Sequence, residues 1–281
     1  FLRLLGFRVR VRIEYRFLTC YTRMRTIYDR VYGDIRVSDV ASRLLSNRWL
    51  TRLDSIRQLG ACSFVYPSAT HTRREHSIGV YHLCGVMATH IQSVHPGITD
   101  EDVELVRIAG LLHDVGHGPF SHMYEAFMED SGQNWSHEEQ TIRIIEEELI
   151  DVLYDDYNWT RSKDEICSRL RLLITGGGNG PLFDVVHSCV GIDADRMDYL
   201  ARDTLAVFGS THTVDATRII NSIRIVDGHV AFDYRVALSI QQMFDLRTRL
   251  HQQVYQHRDV LVVETMLKSH MNDFMHNYDA T

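Results

Sequence analysis

Residues 107–122 read RIAGLLHDVGHGPFSH, an apolar run that ends in an adjacent His-Asp pair and is followed by two further histidines. Histidine and aspartate are costly to bury without a partner, so this density of them is unusual in a segment that only fills a core. Imidazole and carboxylate groups together form a ligand set for a divalent transition metal. The stretch therefore predicts a functional site; the alternative is a buried helix with a polar, solvated end.

The composition is that of a globular protein. The chain has 281 residues, of which 44% are hydrophobic, enough for one large domain. Its net charge of -7 argues against a global basic field that would attract nucleic acid or a membrane surface. No apolar run approaches the roughly 18 residues of a membrane span. The five scattered cysteines contain no CxxC motif, which favours an intracellular, reducing setting, in the nucleus or the cytoplasm.

The chain divides into an N-terminal extension and one domain. We expect residues 1–26 to be an extension of uncertain structure, because basic and apolar residues alternate there; a mitochondrial presequence is the weaker alternative. Residues 27–281 are expected to be mainly α-helical, with short β-hairpins, because they combine long periodic segments with few prolines. Arginine clusters at 8–12 and 22–36 keep single-stranded nucleic acid open as a weakly supported partner.

Turn and capping signals predict the first elements of the domain. Two short strands are expected around Gly33, followed by a helix with Ser38 as its N-cap. A second helix is expected from about Arg48 to Leu59, and residues 64–69 are expected to form an extended link. The next helix is predicted to run to about residue 94, with an inward apolar stripe that includes Val86.

Later elements carry most of the candidate chemistry. Thr99 opens a helix that delivers His113 to its end, where His117 would share a face with it if the helix continued for one more turn. Residues 193–203 hold four acids and two arginines, a pattern that alone is more typical of a salt-bridged surface helix. An Asp-Gly turn predicts a hairpin over 225–232.

Four of these side chains form a candidate metal site. They are two imidazoles and two carboxylates from three predicted helices, a mixed nitrogen and oxygen set with room for water. The set comprises His76, His113, Asp114 and Asp195. This order of residues, H…HD…D, resembles the HD-domain phosphohydrolase superfamily.

The chain is similar, more closely still, to deoxynucleoside triphosphate triphosphohydrolases of the SAM- and HD-domain type. The resemblance extends over roughly residues 28–260 and rests mainly on HDVGHGPFSHM (113–123) and DADRMDYLARD (193–203). It implies an HD-domain helical fold, of which the family's C-terminal lobe is expected to be truncated here. It also implies hydrolysis of deoxynucleoside triphosphates to a deoxynucleoside and tripolyphosphate, and a homo-oligomer as the assembly.

The resemblance implies roles for single residues. The metal ligands would be His76, His113, Asp114 and Asp195, holding a divalent ion whose identity stays open among Fe, Mn, Zn and Mg. The catalytic group would be His117, His122, His137 and Glu125. The substrate-binding residues would be Gln58, Arg73, Arg196, Tyr199, Asp203, Arg247, Tyr255 and Gln256. These roles suit the chemistry, since arginine fits phosphate bidentately and histidine exchanges protons near pH 7.

Some positions depart from the family pattern. Glu125 stands where close relatives often have aspartate, and Arg196 replaces a lysine of vertebrate relatives. Ser46, Thr51 and Asp54 stand where vertebrate members bind an activating guanine nucleotide, and Asp54 reverses the charge there. We therefore predict that guanine-nucleotide activation is lost or altered. Two functional alternatives stay open: another HD-type phosphodiesterase or nucleotidase, and a non-catalytic nucleotide- or nucleic-acid-binding relative.

Overall fold

Helices dominate the part of the chain that the computed structural model describes, which is residues 25–188, 190–209 and 214–278. The α-helices are α1 (Asp39–Ser46), α2 (Arg48–Arg52), α3 (Arg73–Val94), α4 (Asp100–Leu112), α5 (His122–Asp130), α6 (His137–Ile144), α7 (Ile150–Asp155), α8 (Lys163–Thr175), α9 (Phe183–Val186), α10 (Ala194–Phe208), α11 (Ala216–Asn221), α12 (Ala237–Leu250) and α13 (Arg258–Tyr278). A π-helical turn joins α6 to α7, and another extends α12. The predicted mainly α class is confirmed.

Two antiparallel hairpins supply the β-structure of the described residues. Strands β1 (Arg25–Asp29) and β2 (Gly33–Val37) form the first, and β3 (Ile223–Val226) and β4 (His229–Phe232) form the second. The second hairpin turns through Asp227 and the following glycine, both with positive φ, as a two-residue type I′ turn requires. Strand β1 begins inside the range predicted as an extension; residues 1–24 lie outside the described residues.

The core is built around α3, which packs against α4 on one side and α10 on another. Helix α4 approaches closely because Gly110 carries no side chain: a Cβ atom there would lie 2.5 Å from the Cys84 sulfur. Most of the predicted apolar stripe of α3 is buried, but Val86 is 40% exposed, so that part of the prediction is wrong. The α3–α4 contact places the ends of both helices beside each other, where the candidate site lies.

The predicted helix from Arg48 to Leu59 is wrong beyond Arg52. A 3-10 turn follows at Leu53–Ser55, and a second one at Gly60–Phe64 also replaces the start of the predicted extended link. The cause is a backbone bridge, since the Gln58 amide donates to the His71 carbonyl at 3.0 Å and the Arg73 amide donates to Ile56 at 2.8 Å. This bridge competes with helix formation, and it brings Gln58, His71 and Arg73 together.

Candidate active site

Helix α4 ends immediately before the His-Asp pair. His113 is its C-cap, and a turn follows in which the Val115 amide bonds the Leu112 carbonyl and the His117 amide bonds the Asp114 carbonyl. The helix does not continue for the extra turn that would place His113 and His117 on one face. The turn instead separates them into two neighbouring clusters.

The first cluster brings the four predicted metal ligands together. His76 Nε2 lies 3.0 Å from an Asp195 oxygen and 3.5 Å from an Asp114 oxygen. His113 Nε2 lies 3.4 Å from Asp114 and 3.6 Å from Asp195. Ligand atoms that share one ion, with bonds of about 2.1 Å, stand roughly 3 to 3.5 Å apart. The four side chains therefore have the spacing of a single metal site.

The electrostatics of this cluster suit a cation. Burial alone would raise the pKa of Asp195, but the neighbouring imidazoles of His113 and His76 hold it below its usual value. Burial would likewise raise the pKa of Asp114, but the positive charge of Arg73 opposes it and holds the pKa well below the usual range. His113 Nε2 is a buried nitrogen without a hydrogen-bond partner. Ionised carboxylates beside an unpartnered imidazole nitrogen suit a divalent metal, so the chemistry of these four side chains fits such an ion.

The second group, here called the histidine cluster, consists of His117, His122 and His137. The rings of His117 and His137 stack with their centroids 4.1 Å apart, and His122 meets His117 edge-on at 4.9 Å. Glu125 accepts a hydrogen bond from His137 Nδ1 at 3.0 Å and lies 3.7 Å from His122 Nδ1. Burial, and next the charge of Arg73, lower the pKa of His117 well below its usual value. Partial loss of hydration, and next the charge of Arg73, also lower the pKa of His122, whose side chain is more exposed.

Arg73 links the two clusters. Its guanidinium, 3% exposed, donates hydrogen bonds to Asp114 and to the Ser121 hydroxyl, and Nη2 lies 3.5 Å from His122 Nε2. Ser121 and Phe120 both have positive φ, near +60°, a backbone region that L-residues rarely adopt. Strained backbone of this kind concentrates at functional sites.

Both clusters border a cavity of about 460 Å³. On another wall, the Asp203 carboxylate binds His71 Nε2 at 2.7 Å and accepts a hydrogen bond from the Tyr255 hydroxyl at 2.6 Å. The predicted site residues on the wall are Gln58, Arg73, Asp114, His117, His122, His137, Asp195, Tyr199, Asp203 and Tyr255. The cavity thus combines the proposed metal site, proton-carrying histidines and a polar wall.

Three predicted substrate-binding residues are not on the cavity wall. Arg196 pairs with Asp193 at 2.9 Å, and Gln256 is exposed. Arg247 lies near Tyr199, which does line the cavity, and its charge opposes the rise that burial causes in the pKa of the Tyr199 hydroxyl. These three side chains could reach a ligand in the cavity only by moving or by acting through a neighbour.

Sequence reasoning missed several residues of this region. His71 binds the Asp203 carboxylate, and Ser121 accepts hydrogen bonds from Arg73, as described above. Glu264 and Lys268, both from α13, close another part of the cavity wall. The histidine and serine sit inside the motif segments and could have been suspected; nothing in the sequence pattern brings α13 to the cavity.

The fold, the metal-ligand spacing and the histidine cluster define a class of protein. The family model described as "HD domain" matches residues 73–203, a range that begins at Arg73 and includes all four predicted metal ligands. The chain is an HD-domain protein.

Within this class the chain is similar to triphosphohydrolases of the SAMHD1 kind. It is 32% identical over 252 residues to the deoxynucleoside triphosphate triphosphohydrolase SAMHD1 homolog of Dictyostelium discoideum, covering 86% of this chain and 48% of that protein. It is 31% identical over 273 residues to SAMHD1 of Gallus gallus and 31% over 276 residues to SAMHD1 of Homo sapiens, covering 87% of this chain and 44% of each relative. The chain thus spans about half the length of these relatives.

None of the helices in the described ranges combines the length and apolar character that a membrane crossing requires.

Proposed function

We propose that this protein hydrolyses deoxynucleoside triphosphates to a deoxynucleoside and tripolyphosphate in a metal-dependent reaction. The observation that carries the proposal is the opening of the proposed metal site and the histidine cluster into one cavity that also holds Arg73 and Asp203. The relatives named as deoxynucleoside triphosphate triphosphohydrolases support this substrate class. The cavity volume of about 460 Å³ suits a ligand of nucleotide size.

His76, His113, Asp114 and Asp195 would hold the ion, which when bound lowers the pKa of a coordinated water and polarises a phosphoryl oxygen. Carboxylates and imidazoles of this set accept Fe, Mn, Zn or Mg. The reaction forms a bond between a water oxygen and the α-phosphorus and breaks the bond from that phosphorus to the 5′-oxygen. A proton must reach the 5′-oxygen as it leaves.

His122 is the best candidate to deliver that proton. Its side chain is 71% exposed, whereas that of His117 is 1% exposed. Glu125 lies beside the Nδ1 atom of His122 and also binds His137, so it can orient both rings and stabilise their protonated forms. His117, buried and close to Arg73, stays neutral and suits a hydrogen bond to the reacting phosphate rather than proton donation.

The opposite wall would select the sugar. Asp203 is held by two donors, from His71 and Tyr255, and a carboxylate oxygen can still accept a further bond from a sugar hydroxyl. Tyr199 lines the same cavity and would crowd a 2′-hydroxyl, which favours a deoxyribose. Arg73 would contact the phosphates, with Arg196 and Arg247 joining after side-chain movement.

The proposal extends to the setting of the protein. We infer that it acts inside the cell, in the nucleus or cytoplasm, and assembles as a homo-oligomer. Single-stranded nucleic acid is a weaker proposed partner. Part of the basic sequence that suggests it, residues 8–12, lies outside the described residues. Loss or change of guanine-nucleotide activation also remains a prediction; Asp54 forms an ion pair with Arg74.

Product analysis tests the proposed function. Each deoxynucleoside and ribonucleoside triphosphate is incubated with the protein and Mn²⁺ or Mg²⁺, and the phosphorus products are separated. We expect tripolyphosphate from the deoxy substrates only, and no turnover by the His113→Ala and Asp114→Ala variants. Release of pyrophosphate or orthophosphate would instead indicate another HD-type phosphohydrolase. Nucleotide binding without turnover under every metal condition would indicate a non-catalytic relative.

A further inference from the structure

A chain of buried polar contacts extends from the back of His76 to the first hairpin. His76 Nδ1 lies 2.7 Å from Asp198 Oδ2, on the side of the ring opposite the proposed metal site. Arg202 donates to both Asp198 oxygens, at 3.0 and 2.9 Å, and its third nitrogen donates to Asp29 at 2.8 Å. The other Asp29 oxygen accepts from the backbone amides of Val31 and the next residue, at 2.7 and 3.0 Å.

We propose that Asp198 and Arg202 are positioning residues for the metal site, and that Asp29 anchors them to the β1–β2 turn. The inference rests on the metal site of the proposed function. It concerns how His76 is presented to the ion, and it does not depend on which phosphoester is hydrolysed.

The contact to Asp198 fixes which nitrogen of His76 is available. An imidazole binds a metal through one nitrogen only when the other keeps its proton, and the partner of that other nitrogen selects the tautomer and the ring orientation. Asp198 accepts from Nδ1, which leaves Nε2 directed at Asp114 and Asp195. The carboxylate also adds negative charge behind the ligand, which favours a divalent ion.

Arg202 is needed because Asp198 is completely buried. A buried carboxylate is strongly destabilising unless its charge is matched and its lone pairs are used. The planar guanidinium does both through two parallel hydrogen bonds, and it keeps a third nitrogen for Asp29. A lysine has no such fork, so Arg202→Lys cannot reproduce the geometry.

A buried ion pair alone would not establish a positioning role, since many such pairs are only structural. Glu104 provides the comparison, because it is 6% exposed and pairs with Arg107 at 2.9 Å and with Ser38. Neither partner of Glu104 contacts a proposed metal ligand. The Asp29–Arg202–Asp198 chain differs because it ends on Nδ1 of His76, the ring nitrogen that would not bind the ion.

Metal affinity distinguishes a positioning role from a purely structural one. Mn²⁺ binding to the EDTA-treated full chain is measured by calorimetry for the wild type and for Asp198→Asn, Arg202→Lys and Asp29→Asn, with Glu104→Gln as the matched control. We expect Asp198→Asn to weaken binding about 10- to 100-fold, with smaller losses for Arg202→Lys and Asp29→Asn in that order. Glu104→Gln should stay within about twofold, even if its thermal midpoint falls equally far.

A double variant separates the effect on stability from the effect on Mn²⁺ binding. Asp198→Asn with Arg202→Met removes both charges, so it should regain stability relative to Asp198→Asn while Mn²⁺ binding remains weak. Should Asp198→Asn fail to fold, Asp29→Asn and Arg202→Lys carry the same comparison. The inference would be overturned if the folded Asp198→Asn, Arg202→Lys and Asp29→Asn variants bound Mn²⁺ as tightly as the wild type. It would also be overturned if Glu104→Gln lost as much Mn²⁺ affinity as they do. If these variants bind Mn²⁺ weakly but the wild type releases pyrophosphate or orthophosphate, the result counts against the proposed function and not against this inference.

Discussion

Arg202 has no exposed surface, although arginine is normally a solvated side chain. The sequence pattern of its helix is compatible with a salt-bridged surface helix, because acid–base pairs four residues apart look the same on a surface and in an interior. The structure buries Asp198, Arg202 and Asp203 on that helix. What distinguishes the buried case is the set of distant partners, Asp29 and His76, which the local spacing cannot reveal.

Gly79 provides a residue-scale test of this buried chain. A Cβ atom at this position would lie 1.9 Å from Asp198 Oδ1 and 2.4 Å from an Arg202 nitrogen, and neither group has room to retreat. We expect Gly79→Ala to lower the free energy of unfolding by about 1–3 kcal/mol and to weaken Mn²⁺ binding. Urea unfolding and metal titration measure the two effects.

Gly85, on the same helix, is the control. The atoms nearest to an added Cβ there belong to the Arg107 side chain and lie at 3.0 Å or more. Alanine has a higher helix propensity than glycine, by up to about 1 kcal/mol, so Gly85→Ala should be neutral or stabilising and should leave metal binding unchanged. Equal destabilisation by the two substitutions would show that the clash at Gly79 is not the cause.

At the scale of elements, local signals predict what local interactions build. Thr99 and Asp102 form the predicted capping box at the start of α4, and the Asp-Gly turn closes the second hairpin. The helix predicted from Arg48 stops early because the backbone near Gln58 pairs with residues 71–73. A contact between segments that are distant along the chain leaves no periodic signature, so the sequence could not predict it.

The capping residue Asp102 gives a pH-dependent prediction. Burial would raise its pKa, but hydrogen bonds from Thr99 and the charges of Arg161 and Arg169 lower it below 3.8. A carboxyl whose pKa is lowered by folding stabilises the protein above its unfolded pKa, and this contribution is lost as the pH falls through the folded pKa. Asp102→Asn should therefore cost about 1–2 kcal/mol at pH 7, and less at pH 3.

Asp100, an exposed acid in the same first turn, is the matched control. Its interaction with the helix dipole is solvent-screened, so Asp100→Asn should cost less than about 0.5 kcal/mol at either pH. Denaturant unfolding at pH 7 and pH 3 measures both variants. A loss for Asp102→Asn that is as large at pH 3 as at pH 7 would contradict the assigned role of its charge.

At the scale of the whole molecule, the sequence predicted the class of fold and a set of side chains that the structure brings together. The four proposed ligands come from α3, the end of α4 and α10, and they converge because these helices pack against one another. The other walls could not be predicted, because they depend on where α13 lies and on how Asp203 is held. Motifs identify reactive groups, whereas the cavity is a product of packing.

The central claim is that His76, His113, Asp114 and Asp195 bind one divalent ion. Crystals of the protein grown with Mn²⁺, and measured at a wavelength where manganese scatters anomalously, test it most directly. We predict one strong anomalous peak about 2.0–2.3 Å from His76 Nε2, His113 Nε2 and an oxygen of each aspartate. A fully occupied peak elsewhere, with no density among these four side chains at saturating Mn²⁺, would contradict the claim.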